Sequence, residues 1–274
     1  MAAIRLAVEF FCALRTKMEN KKKSKKTLYA ILLVVALLVL AFCAWYIISY
    51  VVAENTGSRI SKSGPGENVN TDIHAASVEN PVDFAALKEI NPDIYAWVCI
   101  PGTNISYPVL QREGDDDYYI RRAEDGSHYT GGCIFSEDIN RRDFSDTVTV
   151  LYGHNLNSGK MFAQLNRFAD ANFFEKTRYI VVYTQDKELI YEIFAATPYS
   201  YAHILKNFDM DSTEGFYKFF GSVMYKKNVK ANYLDDYTLS FSQDKVLILS
   251  TCLQGNNHQR YLVMDRLIAD IPCE

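Results

Sequence analysis

The stretch Val246-Leu247-Ile248-Leu249-Ser250-Thr251-Cys252, separated by seven residues from Arg260-Tyr261-Leu262-Val263-Met264, decides the fold class of this chain. Both runs are aliphatic or β-branched without helical spacing, so each reads as a strand. In an extended chain Val246, Ile248, Ser250 and Cys252 share one face, and Leu247, Leu249 and Thr251 the other. Apolar side chains on both faces mark a strand covered on both sides, with Cys252 where it emerges. A seven-residue connection can close an antiparallel hairpin, which would return Arg260 to a place opposite Cys252.

Working outward, Thr147-Val148-Thr149-Val150-Leu151-Tyr152-Gly153-His154-Asn155 delivers a histidine at the end of a similar run. Gly153 is read as permitting a sharp turn there. Cysteine, histidine and arginine are the nucleophile, acid/base and cation that acyl transfer through a thioester requires. An arginine beside the thiol would favour the thiolate and donate to an oxyanion. Among the five histidines, His154 sits at a strong strand end, and His258, close to Arg260, is its competitor. His74, His128 and His203 fall in a stalk, a polar loop and the Tyr199–Phe208 connection.

Eight β-type runs span the C-terminal region: Tyr95–Ile100, Tyr107–Leu110, Gly132–Phe135, Thr147–Tyr152, Tyr179–Tyr183, Leu189–Ala195, Val246–Thr251 and Tyr261–Leu267. This pattern is mainly β and predicts a barrel or sandwich. Asn80-Pro81 reads as an N-cap followed by Pro at the first helical position, predicting a helix that carries Phe84, Leu87 and Ile90 and is ended by Asn91-Pro92. A short helix is expected over Met161, Leu165 and Phe168, and a longer one over Thr213–Val229.

The N-terminal part has a different character. Residues 1–26 carry eight Lys/Arg and two Glu, so the remainder of this chain, whose net charge is −4, is strongly acidic. An acidic body argues against nucleic acid as a partner. Residues 27–53 contain no charged side chain, long enough to cross a bilayer as a helix. Trp45, Tyr46 and Tyr50 sit at one end and a lysine cluster at the other. These flanks predict an uncleaved anchor with a cytoplasmic N-terminus and an extracellular C-terminal body. Met18 is an alternative initiator to Met1, and otherwise Ile4–Leu14 reads as an amphipathic helix on the inner membrane face. Residues 54–79, with Ser63-Gly64-Pro65-Gly66, read as a flexible stalk, leaving 80–274 as the folded domain. The six cysteines offer no metal spacing and no disulfide framework. Cys99 and Cys133 read as buried thiols, with a bridge between them as the alternative.

Taken together, these motifs resemble the sortase family, the cysteine transpeptidases that attach proteins to Gram-positive cell walls. Leu249-Ser250-Thr251-Cys252 is similar to the family's cysteine signature, Tyr152-Gly153-His154-Asn155 to its histidine motif, and Arg260 to the arginine that opens the following strand. Ile94–Val109, Gly159-Lys160-Met161-Phe162 and the helical segment before the cysteine strand resemble class B. The resemblance covers about residues 80–270. The Cys252–Arg260 connection is short for that class.

The resemblance implies a closed eight-stranded barrel with peripheral helices behind one N-terminal transmembrane helix. Cys252 would be the nucleophile, His154 the general acid/base and Arg260 the oxyanion stabiliser, with neither metal nor organic cofactor. Implied partners are secreted surface proteins bearing an NPxTx- or SPxTG-like sorting motif and a peptidoglycan precursor amine. Alternatives are a pilin-polymerising enzyme using a pilin lysine, a hydrolytic cysteine peptidase, and an anchored binding module without catalysis.

Overall fold

The computed structural model describes residues 29–48, 71–224, 228–235 and 237–274, with 26, 51, 60, 64, 65 and 69 individually. The chain divides into two units, Met1–Val52 and Ala53–Glu274. In the first, helix α1 (Tyr29–Ile48) has a mean hydropathy of 3.0 and 20 residues, enough by length and composition to cross a membrane. The proposed amphipathic helix at Ile4–Leu14 and the Met18 start lie outside the described residues.

In the second unit, helix α2 (Phe84–Ile90) precedes strands β1 (Ile94–Cys99), β2 (Ser106–Leu110), β3 (Ile134–Phe135) and β4 (Val148–Tyr152). Helix α3 (Ala171–Lys176), β5 (Tyr179–Tyr183), β6 (Lys187–Ser200), α4 (Ile204–Asn207) and α5 (Thr213–Val223) follow. The chain finishes with β7 (Asn232–Tyr233), β8 (Val246–Leu253) and β9 (Asn256–Pro272). The sheet runs β5-β1-β2-β3-β4-β8-β9-β6, and a β5–β6 pairing closes it into an eight-stranded barrel. The two-residue β7 hangs on β6. All eight expected runs are strands of this ring.

The two-faced character of β8 has a direct cause. Leu247, Leu249 and Leu253 point into the barrel, with Leu151 of β4 and Val263 of β9. Val246 and Ile248 lie on the outer face with Val148 and Val150, under Phe216, Phe219, Phe220 and Val223 of α5. Burial of each such apolar side chain stabilises by roughly 1.5–3 kcal/mol, so α5 is held by its apolar face. Ser212 caps it, its Oγ accepting from Gly215 N at 3.1 Å. Ser250 and Cys252 continue the outer face of β8.

Several expectations are corrected. Helix α5 ends at Val223 with Met224 as C-cap, rather than running to Val229; residues 225–227 are outside the described set. Asp83, not Asn80, caps α2 by accepting from Ala86 N at 3.0 Å. Asn80 instead donates to Thr184 O at 2.8 Å. The short helix after Met161 is a 3-10 segment, Phe162–Ala169. At the end of the expected stalk, Val78 bridges Cys273 in parallel and Ala75 packs on the outer core, so the described residues there are attached to the domain. Cys99 and Cys133 are free thiols: Cys99 Sγ lies 3.5 Å from Ser106 Oγ, and Cys133 Sγ donates to Arg122 O at 3.2 Å.

One interior group goes against the apolar core. Asp265 is 0% exposed beside Leu247 on the inner face, and neither carboxylate oxygen has a hydrogen-bond partner. Burial pushes its pKa well above the ordinary carboxylate range. The folded chain therefore holds this proton to a higher pH than the unfolded chain, whose value is about 3.9. Between the two values folding binds more protons than unfolding, so this residue lowers stability as pH rises. Asp265→Asn, which stays neutral, is expected to raise Tm at pH 7 and to change it little at pH 4. Equal effects at both pH values in thermal unfolding would show that the carboxyl is not held protonated.

Candidate active site

The site lies on the outer face of the barrel, beyond the cover of α5, where two parallel strands end together. Strands β4 and β8 pair in parallel with Tyr152 opposite Ser250. Two residues further along each strand come His154 and Cys252. The parallel ladder thus brings the ends of two distant segments side by side. Gly153 N donates to Ser250 O at 3.1 Å, and Thr251 Oγ1 donates to Gly153 O at 2.8 Å, extending the contact past the last strand pair. Gly153 has no left-handed backbone. What requires glycine is space, because a Cβ there would lie 2.5 Å from Ile134 Cδ1 and 2.7 Å from the Phe162 ring.

Arg260 arrives from the other side. The seven-residue stretch after Cys252 is not an open loop: β8 runs on to Leu253, a tight turn at Gln254-Gly255 follows, and β9 begins at Asn256. Gly255 adopts φ 81°, the conformation glycine favours in such turns. An irregularity between Cys252 and Leu253 absorbs the extra residues of β9 and leaves Cys252 directly opposite Arg260. The guanidinium Nη1 donates to Cys252 Sγ at 3.0 Å. Both side chains are half-buried.

His154 is held differently. Its Nε2 lies 2.8 Å from Ile120 O. A carbonyl only accepts, so this nitrogen carries the proton and Nδ1 is the basic one. Among the described residues Nδ1 has no hydrogen-bond partner. Burial lowers the imidazole pKa below its ordinary value of 6.5, opposed by the Ile120 carbonyl and reinforced by the charges of Arg260 and Arg121. His154 is therefore largely neutral at pH 7. His154, Cys252 and Arg260 line one cavity of about 250 Å³, together with Tyr152, Ser250 and Ile120. His258, the competing histidine, is exposed and is not part of that wall.

Further residues support the site: Asn155 and Phe162 belong to stretches that carried the family resemblance, whereas Asn166, Glu137 and His203 had no sequence signal of their own. The irregularity after Cys252 accompanies two amide contacts to its carbonyl: Asn155 Nδ2 at 3.0 Å and Asn166 Nδ2 at 3.3 Å. Asn166 Oδ1 also accepts from Gln254 N at 2.8 Å, tying the 3-10 segment to the hairpin turn. Phe162 N donates to His154 O at 2.9 Å, closing the histidine loop. Glu137 and His203 form a hydrogen-bonded pair in the same cavity wall. No group of three or more His, Cys, Asp or Glu suited to a metal occurs among the described residues.

A thiol and a guanidinium in contact beside the β8–β9 turn, with an imidazole in the same cavity, offer the groups that acyl transfer through a thioester uses. Residues 98–268 match the sortase domain, and the chain belongs to the sortase family. Its relatives are class B enzymes. It is 26% identical to sortase B of Listeria monocytogenes over 216 residues, covering 76% of this chain and 80% of that protein. The crystal structure of Clostridium perfringens sortase B superposes with a TM-score of 0.57 at 28% identity, covering 68% of this chain and 99% of that one. A Streptococcus pyogenes class B sortase involved in pilus biogenesis superposes with a TM-score of 0.57 at 26% identity, over 68% of this chain and 98% of that one. Cysteine transpeptidation is accordingly the activity expected of this chain.

Proposed function

We propose that this chain is a membrane-anchored class B sortase that cleaves a sorting motif after Thr and passes the acyl group to a cell-wall precursor amine. The observation that carries the reading is the Cys252–Arg260 contact of 3.0 Å, in the cavity that His154 also lines. Cys252 Sγ attacks the Thr carbonyl, and the thiol proton passes to the basic nitrogen of the neutral His154. The guanidinium of Arg260, already at the sulfur, donates to the oxyanion. The imidazolium then returns that proton to the departing amine, the C–N bond breaks, and a thioester remains. In the second half, an incoming amine loses its proton through His154 and attacks the thioester. A new amide forms and the cysteine is released. In this reading residues 27–53 are the anchor, 1–26 the cytoplasmic segment, 54–79 the connection to the membrane and 80–274 the catalytic domain.

The similarity to an enzyme of pilus biogenesis favours one second reading, in which the acceptor is a lysine of another surface subunit. Both readings use the same residues and differ only in the amine.

The test is a purified full-length enzyme in detergent given NPxTx and SPxTG peptides, with either a peptidoglycan cross-bridge peptide or a lysine-bearing subunit as acceptor. Mass spectrometry should show cleavage after Thr and a new amide to the cross-bridge peptide. Transfer only to the lysine-bearing subunit would select the second reading, and cleavage at another bond would refute both. In intact cells, a tag after Glu274 should be cleaved by external protease; protection until lysis would contradict the topology.

A further inference from the structure

The carbonyl of the nucleophile is held by side chains rather than by the sheet. In the parallel β4–β8 ladder, every second carbonyl of β8 faces β4. Ser250 O uses that direction to accept from Gly153 N at 3.1 Å. The carbonyl of Cys252 comes two residues later on the same side. By the same offset its main-chain partner would be the N–H of residue 155, but β4 ends at Tyr152 and the ladder with it. Two carboxamides take that place. Asn155 Nδ2 donates to Cys252 O at 3.0 Å, and Asn166 Nδ2 donates to the same oxygen at 3.3 Å. The ladder is thus carried one step past its last strand pair, while the main chain at His154 turns into the cavity.

Both carboxamides are themselves anchored. Asn155 forms a bridge with Met161, and Phe162 N donates to His154 O at 2.9 Å, so the two ends of this loop are tied together. Met161 adopts φ 55° and ψ −132°, values that glycine favours and larger side chains resist. Such a conformation persists only where the surroundings over-determine it. Here Met161 N donates to the Tyr107 hydroxyl at 3.0 Å, and the side chain is buried in the barrel core. Asn166 belongs to the 3-10 segment that follows, and its Oδ1 accepts from Gln254 N at 2.8 Å. One carboxamide therefore spans the irregularity between Cys252 and Leu253. These contacts converge where Cys252 meets Arg260 at 3.0 Å.

We propose that Asn155 and Asn166 are positioning residues for acyl transfer, a clamp on the nucleophile's own carbonyl that keeps Cys252 Sγ against Arg260 and in the cavity that His154 lines. Neither lines that cavity, so neither meets the reacting atoms. Their effect is geometric. Freed of both donors, the Cys252–Leu253 peptide can rotate within the irregularity and carry Sγ off the guanidinium. A displacement of about 1 Å at a reacting atom costs on the order of 100-fold in rate. Because the two donors share one carbonyl, either alone keeps it satisfied, and the loss becomes large when both are absent. Asn155, next in sequence to His154, also ties the acid/base segment directly to the nucleophile. This inference rests on the transpeptidase reading above.

The test measures kcat and KM for a sorting peptide with the full-length enzyme in detergent, together with Tm. Asn155→Leu and Asn166→Leu each keep the size of the side chain and remove its donor. Each should lower kcat about tenfold with KM within about twofold, because peptide binding does not use these groups. The double variant should lose on the order of 1,000-fold, more than the product of the single losses. Asn166→Asp keeps the acceptor for Gln254 N but lacks the donor to Cys252 O, and should lose kcat as Asn166→Leu does. Full kcat in Asn166→Asp, or a double variant no worse than the product, would overturn the clamp. So would losses carried by KM or accompanied by a matching fall in Tm, because those mark a structural role. If Asn155→Leu does not fold, the two Asn166 variants still decide the matter. A wild-type enzyme that cleaves no sorting peptide after Thr contradicts the transpeptidase reading instead, which separates the two.

Discussion

Cys252→Ala is expected to abolish both cleavage of a sorting peptide and transfer of its acyl group, with the unfolding transition nearly unchanged. The thioester needs a sulfur at this position. The other thiols of the folded domain cannot substitute. Cys99 lies buried in β1, and burial pushes its pKa up to about 12; Cys133 is buried and raised well above the ordinary thiol value. Cys273 is pushed up to about 11. At neutral pH these are protonated thiols outside the reaction cavity. The structural cost of the substitution is small, because Cys252 is half-buried and its side-chain hydrogen bond is the one from Arg260. That cost is on the order of 1 kcal/mol or less. Cys99→Ala and Cys133→Ala give the opposite pattern, activity retained with some stability lost from a small core cavity. Substantial turnover by Cys252→Ala would remove the thiol from the mechanism.

The second large effect separates the two basic residues. Arg260→Lys keeps the charge and loses the planar fork, which can hold a sulfur and a developing oxyanion at two points. If Arg260 is an oxyanion donor, kcat should fall on the order of 10²–10³. A diffuse positive charge would be preserved by lysine, and near-normal turnover would then be seen. His154→Ala should be at least as damaging, since both the departing and the incoming amine exchange a proton through it. His258→Ala should stay near wild type, because His258 is exposed and outside the cavity wall. An active His154→Ala beside an inactive His258→Ala would reverse the acid/base assignment.

The strands were legible because their burial leaves a local mark. Strand β8 is apolar on both faces, since one face fills the barrel and the other lies under α5. The opposition of Cys252 and Arg260 followed from a connection short enough to form a hairpin. The detail of that connection was not legible, because the tight turn at Gln254-Gly255 and the irregularity beside Cys252 depend on contacts from Asn155 and Asn166. The lengths of β6 and β9 were underestimated for a related reason. Their polar ends, such as Lys187 and Asp270, pair with each other at 3.0 Å rather than showing an apolar period. Glu137 and His203 carried no signal at all. They lie 66 residues apart and become a pair only when β3 and the β6–α4 connection meet at the cavity. His203, placed by its sequence in an unremarkable connection, turns out to face the reaction cavity.

The central claim, acyl transfer through Cys252, is tested most directly by intact-mass analysis of the full-length enzyme quenched with a sorting peptide in the absence of an amine acceptor. The account predicts an adduct with the mass of the peptide up to and including Thr, mapped to Cys252, released by hydroxylamine and consumed on adding the acceptor. Cleavage that proceeds with no adduct on Cys252, or with an adduct on another residue, would contradict it.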